Sequence, residues 1–276
     1  MKKLNLFAMI CMICMSCTGQ QKQGPAEDYF GQTRLVQAYK PAGIQKVREL
    51  PEVEHKIRDI NMPEGYYHKY TDKYSLAFGG FKLKTIQNTN GHMVRDQYDR
   101  YVGDAAFVLD MSVHQYQDCA ASAMQLHALA KRDTIYVHDN NKKAYPILPE
   151  MGKNLRSFSM CNSYSLEHRD TDPVDNLNDV MPGDMLIHGG FPGHVAVIMA
   201  VITNDDGDIK VMIGNGYLPA VEFHILSNSY EDFAYNQGDV WFDFTRIEKG
   251  QKDIKVISGA SGWTFSPDEL RRWKNR

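Results

Sequence analysis

The sequence has little of several features that would define its partners. It contains no run or stripe of basic residues and its formal net charge is −3, so we expect no nucleic-acid partner. After its first 16 residues it has no apolar stretch of the roughly 20 residues that a membrane-spanning helix needs. Its five cysteines are too few outside the N-terminus for a cysteine-based zinc site. We therefore expect neither a metal nor a cofactor.

The N-terminus has the pattern of an export signal. Two lysines follow Met1, an apolar run extends to Met15, and the chain turns polar directly after Cys17. A positive start, a short apolar centre and a small residue before the cut are the parts of a signal peptide. A signal that ends in a small residue and cysteine resembles the bacterial lipobox, which usually has leucine where this chain has Cys14. The resemblance implies cleavage before Cys17 and a diacylglycerol thioether on its sulfur; an ordinary secretory signal is the alternative.

Three segments follow from this interpretation. Residues 1–16 are predicted as a lipoprotein signal peptide, residues 17–27 as a flexible polar tether, and residues 28–276 as a single domain. We expect a bacterial cell-envelope protein, held by acyl chains on the periplasmic or surface side of a membrane. Only Cys119 and Cys161 remain in the domain. In an oxidising compartment they could form one disulfide or stay as free thiols.

The segment from Asp118 to Ala130 predicts a helix with cysteine at its first position. Alanine and leucine dominate the segment, and Asp118 is a natural N-cap. Cys119 would meet the unpaired N–H groups and the positive end of the helix dipole, which favour the nucleophilic thiolate. The carboxylate of Asp118 acts in the opposite direction. The alternative is that Cys119 is a small buried core residue.

A second candidate region begins with a turn at Pro182–Asp184. A short strand at Met185–Ile187 and a glycine-rich loop follow, and then a nearly continuous apolar segment from His194 to Ile202. Such a run predicts a strand buried on both faces, with Ile209–Ile213 as its hairpin partner. A histidine that opens this strand is either a hydrogen-bonded core residue or a base held by a rigid element.

The order of these features resembles the NlpC-type cell-wall endopeptidases of the papain superfamily. Cysteine at a helix start, a Pro-Gly-Asp turn and Gly-His opening a strand carry the resemblance. It implies an α+β fold with a papain-like (NlpC-type) core, in which a central helix with Cys119 packs on an antiparallel sheet with His194 and Asn215. An Asn-Gly turn is the alternative for Asn215. The long spacing between Cys119 and His194 places an insertion near residues 133–180.

Most of the chain after the tether also resembles the bacterial domain-of-unknown-function family 4846. The segments that carry this resemblance are Gln115–Ala120, Tyr164–Leu166, Gly183–Asp184, Gly189–His194, Gly216–Ala220 and Phe223–Asn228. The family usually has glutamine where this chain has Asn215 and Val221. The first exchange keeps an amide, and the second removes a polar group. The family name carries no activity, so the resemblance supports only the fold and the position of the site.

Together these residues predict a thiol hydrolase or transpeptidase that acts on peptide or amide bonds, and an envelope location favours cell-wall peptides such as those of peptidoglycan. Cys119 would attack the carbonyl, His194 would move the proton, and Asn215 would fix the tautomer of His194. The oxyanion hole would use the Cys119 N–H and a donor from Gln117 or Gln115. The alternative is a binding or scaffold lipoprotein on the same fold, and the reactivity of Cys119 separates the two.

Two further features concern histidines and the C-terminus. No spaced carboxylate pattern accompanies His188 or His224, so these histidines do not predict a metal site. Ser266 followed by proline predicts the capped start of a short C-terminal helix. We expect Arg271 and Arg272 of this helix on a solvated face.

Overall fold

The computed structural model of the chain describes most of the segment from residue 117 to the C-terminus and several short pieces before it. The described residues are 54–55, 62–71, 81–84, 106–109, 117–150, 153–190, 192–216, 222–226, 240–245, 254–258 and 261–276. The predicted signal peptide, the tether, Cys17 and Gln115 lie outside them. In the described part, no helix is long and apolar enough to cross a membrane.

Strands are the commonest regular element among the described residues. They are β1 (Glu54–His55), β2 (Tyr67–His68), β3 (Phe81–Lys84), β4 (Ala106–Leu109), β5 (Ile135–His138), β6 (Ala144–Ile147), β7 (Thr171–Pro173), β8 (Met185–His188), β9 (His194–Thr203), β10 (Ile209–Asn215), β11 (His224–Ile225), β12 (Trp241–Asp243), β13 (Ile254–Ser258), β14 (Ser261–Phe265) and β15 (Leu270–Trp273). The α-helices are α1 (Cys119–Lys131), α2 (Leu155–Met160) and α3 (Ser163–Ser165). A π-helical turn at Leu166–Asp170 continues α3, and 3₁₀ turns lie at Leu177–Asp179 and Pro267–Glu269.

Eleven of these strands belong to one antiparallel sheet. Its order is β1-β3-β4-β11-β10-β9-β8-β15-β7, with β12 paired to β10 and β2 paired to β9. The hairpins β5–β6 and β13–β14 form two separate pairs. Helix α1 packs against β9 and β10 in the middle of the sheet. The predicted α+β class, a helix on an antiparallel sheet, is therefore confirmed.

The sheet separates two hydrophobic cores, and β9 contributes to both. Val195, Val197 and Met199 pack with α1 in the first core, whereas Ala196 and Ile198 pack with Phe265 in the second core on the opposite face. The predicted burial of this strand on both faces is confirmed, because every residue from His194 to Ile202 is buried. The pairing with β10 skips one residue of β9, Met199, so that Met199 and Ala200 both join the first core.

Helix α1 begins at the predicted residue because its cap is satisfied. The Asp118 carboxylate accepts the backbone N–H of Ala121 at 2.8 Å. The helix ends at Arg132, whose left-handed φ of 56° terminates the hydrogen-bond ladder. All residues from Cys119 to Ala128 are buried. A helix that is buried nearly all round in this way lies inside the fold rather than on its surface.

The region predicted as an insertion contributes to the first core. Val137, Ile147, Phe158 and Leu166 are members of this core together with α1. At its edge, β7 pairs with β15 and extends the main sheet. Part of the segment therefore packs against α1.

The C-terminal segment differs from the prediction. The Ser266 cap forms, but only one 3₁₀ turn follows, and the chain then continues as strand β15 between β7 and β8. Both carboxylate oxygens of the fully buried Asp184 accept hydrogen bonds from Arg272, each at 2.7 Å. The expectation of a solvated face is wrong for Arg272. A buried carboxylate needs a cationic partner, and Arg272 on β15 is that partner for Asp184.

Candidate active site

Cys119 lies at the first position of α1, as predicted, but its environment disfavours the thiolate. Its side chain is buried, with 8% of the residue exposed. Burial raises the pKa of the thiol well above its ordinary value, and the charge of Asp118 raises it further. The backbone N–H groups of Val195, Ala120 and Cys119 itself act on the sulfur in the opposite direction without outweighing burial. The prediction that the helix start favours the thiolate of Cys119 is therefore wrong for the buried position of this side chain.

The first turn of α1 lies against the positions that hold the other two predicted residues. The nitrogen of Val195, whose N–H acts on the Cys119 sulfur, is bonded directly to the carbonyl carbon of His194. Gly216 follows Asn215, and a Cβ atom on Gly216 would lie 2.4 Å from the Ser122 hydroxyl oxygen. Only glycine permits so close an approach of β10 to the helix. The fold thus brings Cys119 to the backbone at the start of β9, whereas the His194 ring packs with Trp263 and Phe265 of the second core, on the opposite face of the sheet.

His194 and Asn215 form a buried polar pair. His194 Nε2 and Asn215 Nδ2 are 2.8 Å apart, and the two residues are 2% and 1% exposed. The His194 ring packs against Trp263 and Phe265, with ring centroids 5.0 and 5.9 Å away. Burial, with the charges of His224 and His188 as smaller causes, lowers the pKa of His194 to about 3. The imidazole is therefore neutral at pH 7.

Asn215 has a more defined position than the Asn-Gly turn alternative implies. It is the last residue of β10 and is directly paired with His224 of β11. With Nδ2 facing His194, the amide donates to Nε2, which corresponds to a ring proton on Nδ1; the opposite orientation of the amide corresponds to a ring proton on Nε2. Within the described residues, Asn215 Oδ1 is buried without a hydrogen-bond partner.

Sequence reasoning missed His224 as a member of this group. Its ring is buried, its Nδ1 lies 2.8 Å from the carbonyl oxygen of Glu222, and its charge acts on His194. A carbonyl oxygen only accepts, so Nδ1 carries the proton and Nε2 is an acceptor. Burial lowers the pKa of His224 to about 4. No local signal marks this residue, because its place in the group depends on the pairing of β10 with β11.

The exposed side of the site is formed by the end of β8, the loop after it and the π-helical turn. His188, directly paired with His194, has 46% of its side chain exposed, and its Nδ1 lies 2.5 Å from Glu269 Oε1. A Cβ atom on Gly189 would lie only 1.9 Å from Glu167 Oε2, so the loop after β8 is pressed against the π-helical turn. The described residues contain no group of three or more histidine, cysteine or carboxylate side chains that could hold a metal ion.

Two kinds of predicted residue remain, the candidates for the oxyanion hole and the second cysteine. Gln117 is buried two residues before Cys119, whereas Gln115 lies outside the described residues. Cys161 is buried at the end of α2, and burial, followed by the charges of two aspartates, raises the pKa of its thiol to about 12. Cys119 and Cys161 are both free thiols, so the disulfide alternative is wrong for this structure.

The fold and the site define a mixed α+β protein with a buried histidine–asparagine pair at one end of β9 and β10 and a cysteine at the N-terminus of the helix that packs on these strands. The family described as domain of unknown function 4846 matches residues 150–272. This confirms the predicted resemblance over less than half of the chain, a part that includes His194, Asn215 and His224 but not Cys119. Comparison with the curated proteins and with the solved structures found no match.

Proposed function

We propose that the protein is a cysteine hydrolase or transpeptidase that acts on peptide or amide bonds. In this proposal Cys119 is the nucleophile, His194 is the base, and Asn215 orients the imidazole. The observation that carries the proposal is the buried 2.8 Å contact between His194 and Asn215, together with the action of the backbone N–H of Val195, the residue after His194, on the Cys119 sulfur at the start of α1. The placement of α1 on the antiparallel strands β9 and β10 is the arrangement that a papain-like core of the NlpC type would have.

The chemistry proceeds from a neutral thiol and a neutral imidazole. As a substrate carbonyl reaches Cys119, the thiol proton moves to His194 while the sulfur bonds to the carbonyl carbon. The C–N bond then breaks, the leaving amine takes the proton from His194, and an acyl thioester remains on Cys119. Water or a second amine attacks the thioester with His194 as base, which releases an acid or a new amide and restores the thiol.

The start of α1 supplies the electrostatic part of this mechanism. Its unpaired N–H groups and the positive end of the helix dipole lie where negative charge develops on the carbonyl oxygen. The Cys119 N–H is one candidate donor, and the buried Gln117 side chain is the other candidate among the described residues. Removing a single donor of this kind costs roughly 10²–10³ in kcat.

The sequence supports an envelope location for this activity. The proposed signal peptide at residues 1–16 and the lipid on Cys17 would hold the domain to a membrane through the tether. Cell-wall peptides, including those of peptidoglycan, are the amide substrates present in that compartment. Exchange of Cys17 for serine should release the mature chain from the membrane fraction and abolish incorporation of labelled palmitate.

A second candidate function is binding without catalysis on the same fold. The observation that favours it is the burial of Cys119, which keeps the thiol neutral and mostly out of contact with solvent. A scaffold lipoprotein would need no more than this. The two candidates differ in whether the reactivity of Cys119 depends on His194.

The test is the alkylation rate of Cys119 between pH 6 and 10. The mature chain beginning at residue 17, with Cys17→Ser and Cys161→Ala, leaves Cys119 as its single thiol. We expect His194→Gln to lower the rate at neutral pH at least tenfold, because a positioned base contributes ~10²–10⁴. His127→Gln is the matched control, because His127 is equally buried but packs on Trp273. Equal rates in the parent and the His194 variant would favour the binding function.

A further inference from the structure

The buried group around Asn215 contains two polar atoms that lack hydrogen-bond partners in the described structure. They are Asn215 Oδ1 and His224 Nε2. The two residues are directly opposite each other in the antiparallel pair β10–β11, so their side chains project from the same face of the sheet. Buried polar atoms are nearly always hydrogen-bonded, so two such atoms on facing side chains require a common explanation.

Both atoms are acceptors. His224 donates its ring proton from Nδ1 to the Glu222 carbonyl oxygen, 2.8 Å away, which leaves Nε2 with a lone pair. The carbonyl oxygen of the Asn215 amide can also only accept. As long as Asn215 directs its NH₂ group at His194, neither acceptor has a donor among the described residues.

A half-turn of the Asn215 amide about its terminal torsion exchanges its oxygen and its NH₂ group. The oxygen then faces His194 Nε2, which becomes the protonated nitrogen, and the NH₂ group becomes available to His224 Nε2. One rotation thus gives the Asn215 oxygen a donor on His194 and turns the NH₂ group to the side of His224. In the same rotation, His194 changes to the tautomer in which Nδ1 is the unprotonated nitrogen.

We infer that His224 is a positioning residue of the site: its Nε2, directly or through one water, holds the Asn215 amide so that His194 is protonated on Nε2 and basic on Nδ1. The inference rests on the proposed cysteine hydrolase function, in which Nδ1 takes the thiol proton. His224 itself touches neither the substrate nor the sulfur in this scheme. Its effect on the reaction passes through Asn215.

The experiment is to measure the tautomer of His194 by ¹⁵N NMR of the imidazole nitrogens in the mature chain with Cys17→Ser. His194→Gln assigns the signals. We expect the Nε2-protonated form in the parent protein at pH 7.5. A parent protein that is protonated on Nδ1 would overturn the inference without any variant at His224.

Two variants at His224 and one matched control complete the test. His224→Phe fills the site without an acceptor, and we expect His194 to shift toward the Nδ1-protonated form and the alkylation rate of Cys119 to fall on the order of tenfold. His224→Gln supplies an amide oxygen and should largely restore both. His127→Phe removes an equally buried histidine elsewhere and should change neither.

The outcomes separate this inference from the proposed function. An unchanged His194 tautomer in folded His224→Phe, or the same shift in His127→Phe, refutes the positioning role. If His224→Phe does not fold, the tautomers of the parent and of His224→Gln decide the question, because both must be protonated on Nε2. A tautomer that responds to His224 in a protein whose Cys119 is indifferent to His194 would support the positioning role and refute the hydrolase.

Discussion

Mild acid should destabilise this protein strongly, because three histidines in the described part of the chain are buried in their neutral forms. Burial is the main cause that lowers the pKa of His127 and His194 to about 3 and of His224 to about 4, from an ordinary value of 6.5. The unfolded chain therefore binds three protons between about pH 6.5 and 4 that the folded chain does not bind. The free energy of unfolding must fall as the pH is lowered through this window.

The magnitude follows from the size of the shifts. At pH 5, each histidine lies about 1.5 pH units below its unfolded pKa, which corresponds to about 2 kcal/mol per group. The three together amount to about 6 kcal/mol, a large part of the roughly 5–15 kcal/mol of a typical domain. Asp184 acts in the opposite sense, because burial raises the pKa of its carboxyl and the folded state takes up that proton more readily. At pH 5, above the ordinary pKa of aspartate, the histidines dominate.

Urea unfolding of the mature chain at pH 7.5, 6.0 and 5.0, followed by tryptophan fluorescence, measures this loss. His127→Phe keeps an aromatic ring on Trp273, which His127 contacts at 4.3 Å between ring centroids. This variant should lower the difference in unfolding free energy between pH 7.5 and 5.0 by about one third, because one of three groups is removed. A stability that does not change between these pH values would refute the conclusion that these imidazoles are buried and neutral.

The remaining predictions concern packing that the fold imposes. Arg272→Met should cost about 3–5 kcal/mol of unfolding free energy, because it leaves the buried Asp184 carboxylate without its partner. Lys274→Met is the control and should change the stability little, because its exposed ion pair is 3.8 Å long. Gly216→Ala should cost about 1–3 kcal/mol through the contact of its Cβ with the Ser122 hydroxyl. Ser122→Gly should recover part of that loss in the double variant, and failure to do so would contradict the contact.

Local features of the sequence predicted the central elements well. The alanine-rich segment after Asp118 forms α1 from the predicted residue, and the apolar run from His194 forms β9 with β10 as its partner. These elements are encoded by neighbouring residues, through a cap, a helix-favouring composition and a long apolar run. The same reasoning failed at the C-terminus, because β15 is stabilised by pairing with β7 and β8, which are distant in the chain.

The pKa of Cys119 shows why a prediction from neighbouring residues alone can fail. The helix start and its N–H groups favour a thiolate, and the structure contains these N–H groups at the sulfur. Burial by the rest of the fold has the larger effect and keeps the thiol neutral. Burial results from contacts with many segments, so the residues near Cys119 in the sequence do not predict it.

The sequence by itself determined the cysteine at the helix start, the histidine at the strand start and the asparagine that follows. Each of these depends on residue types within a few positions of one another. Only the tertiary structure decided that Asp184 is paired with Arg272, 88 residues away, and that His224 faces Asn215. It also decided that all three histidines of the acid prediction are neutral. Strand pairing and exclusion of water join residues without regard to their separation in the chain, so a local sequence pattern cannot specify them.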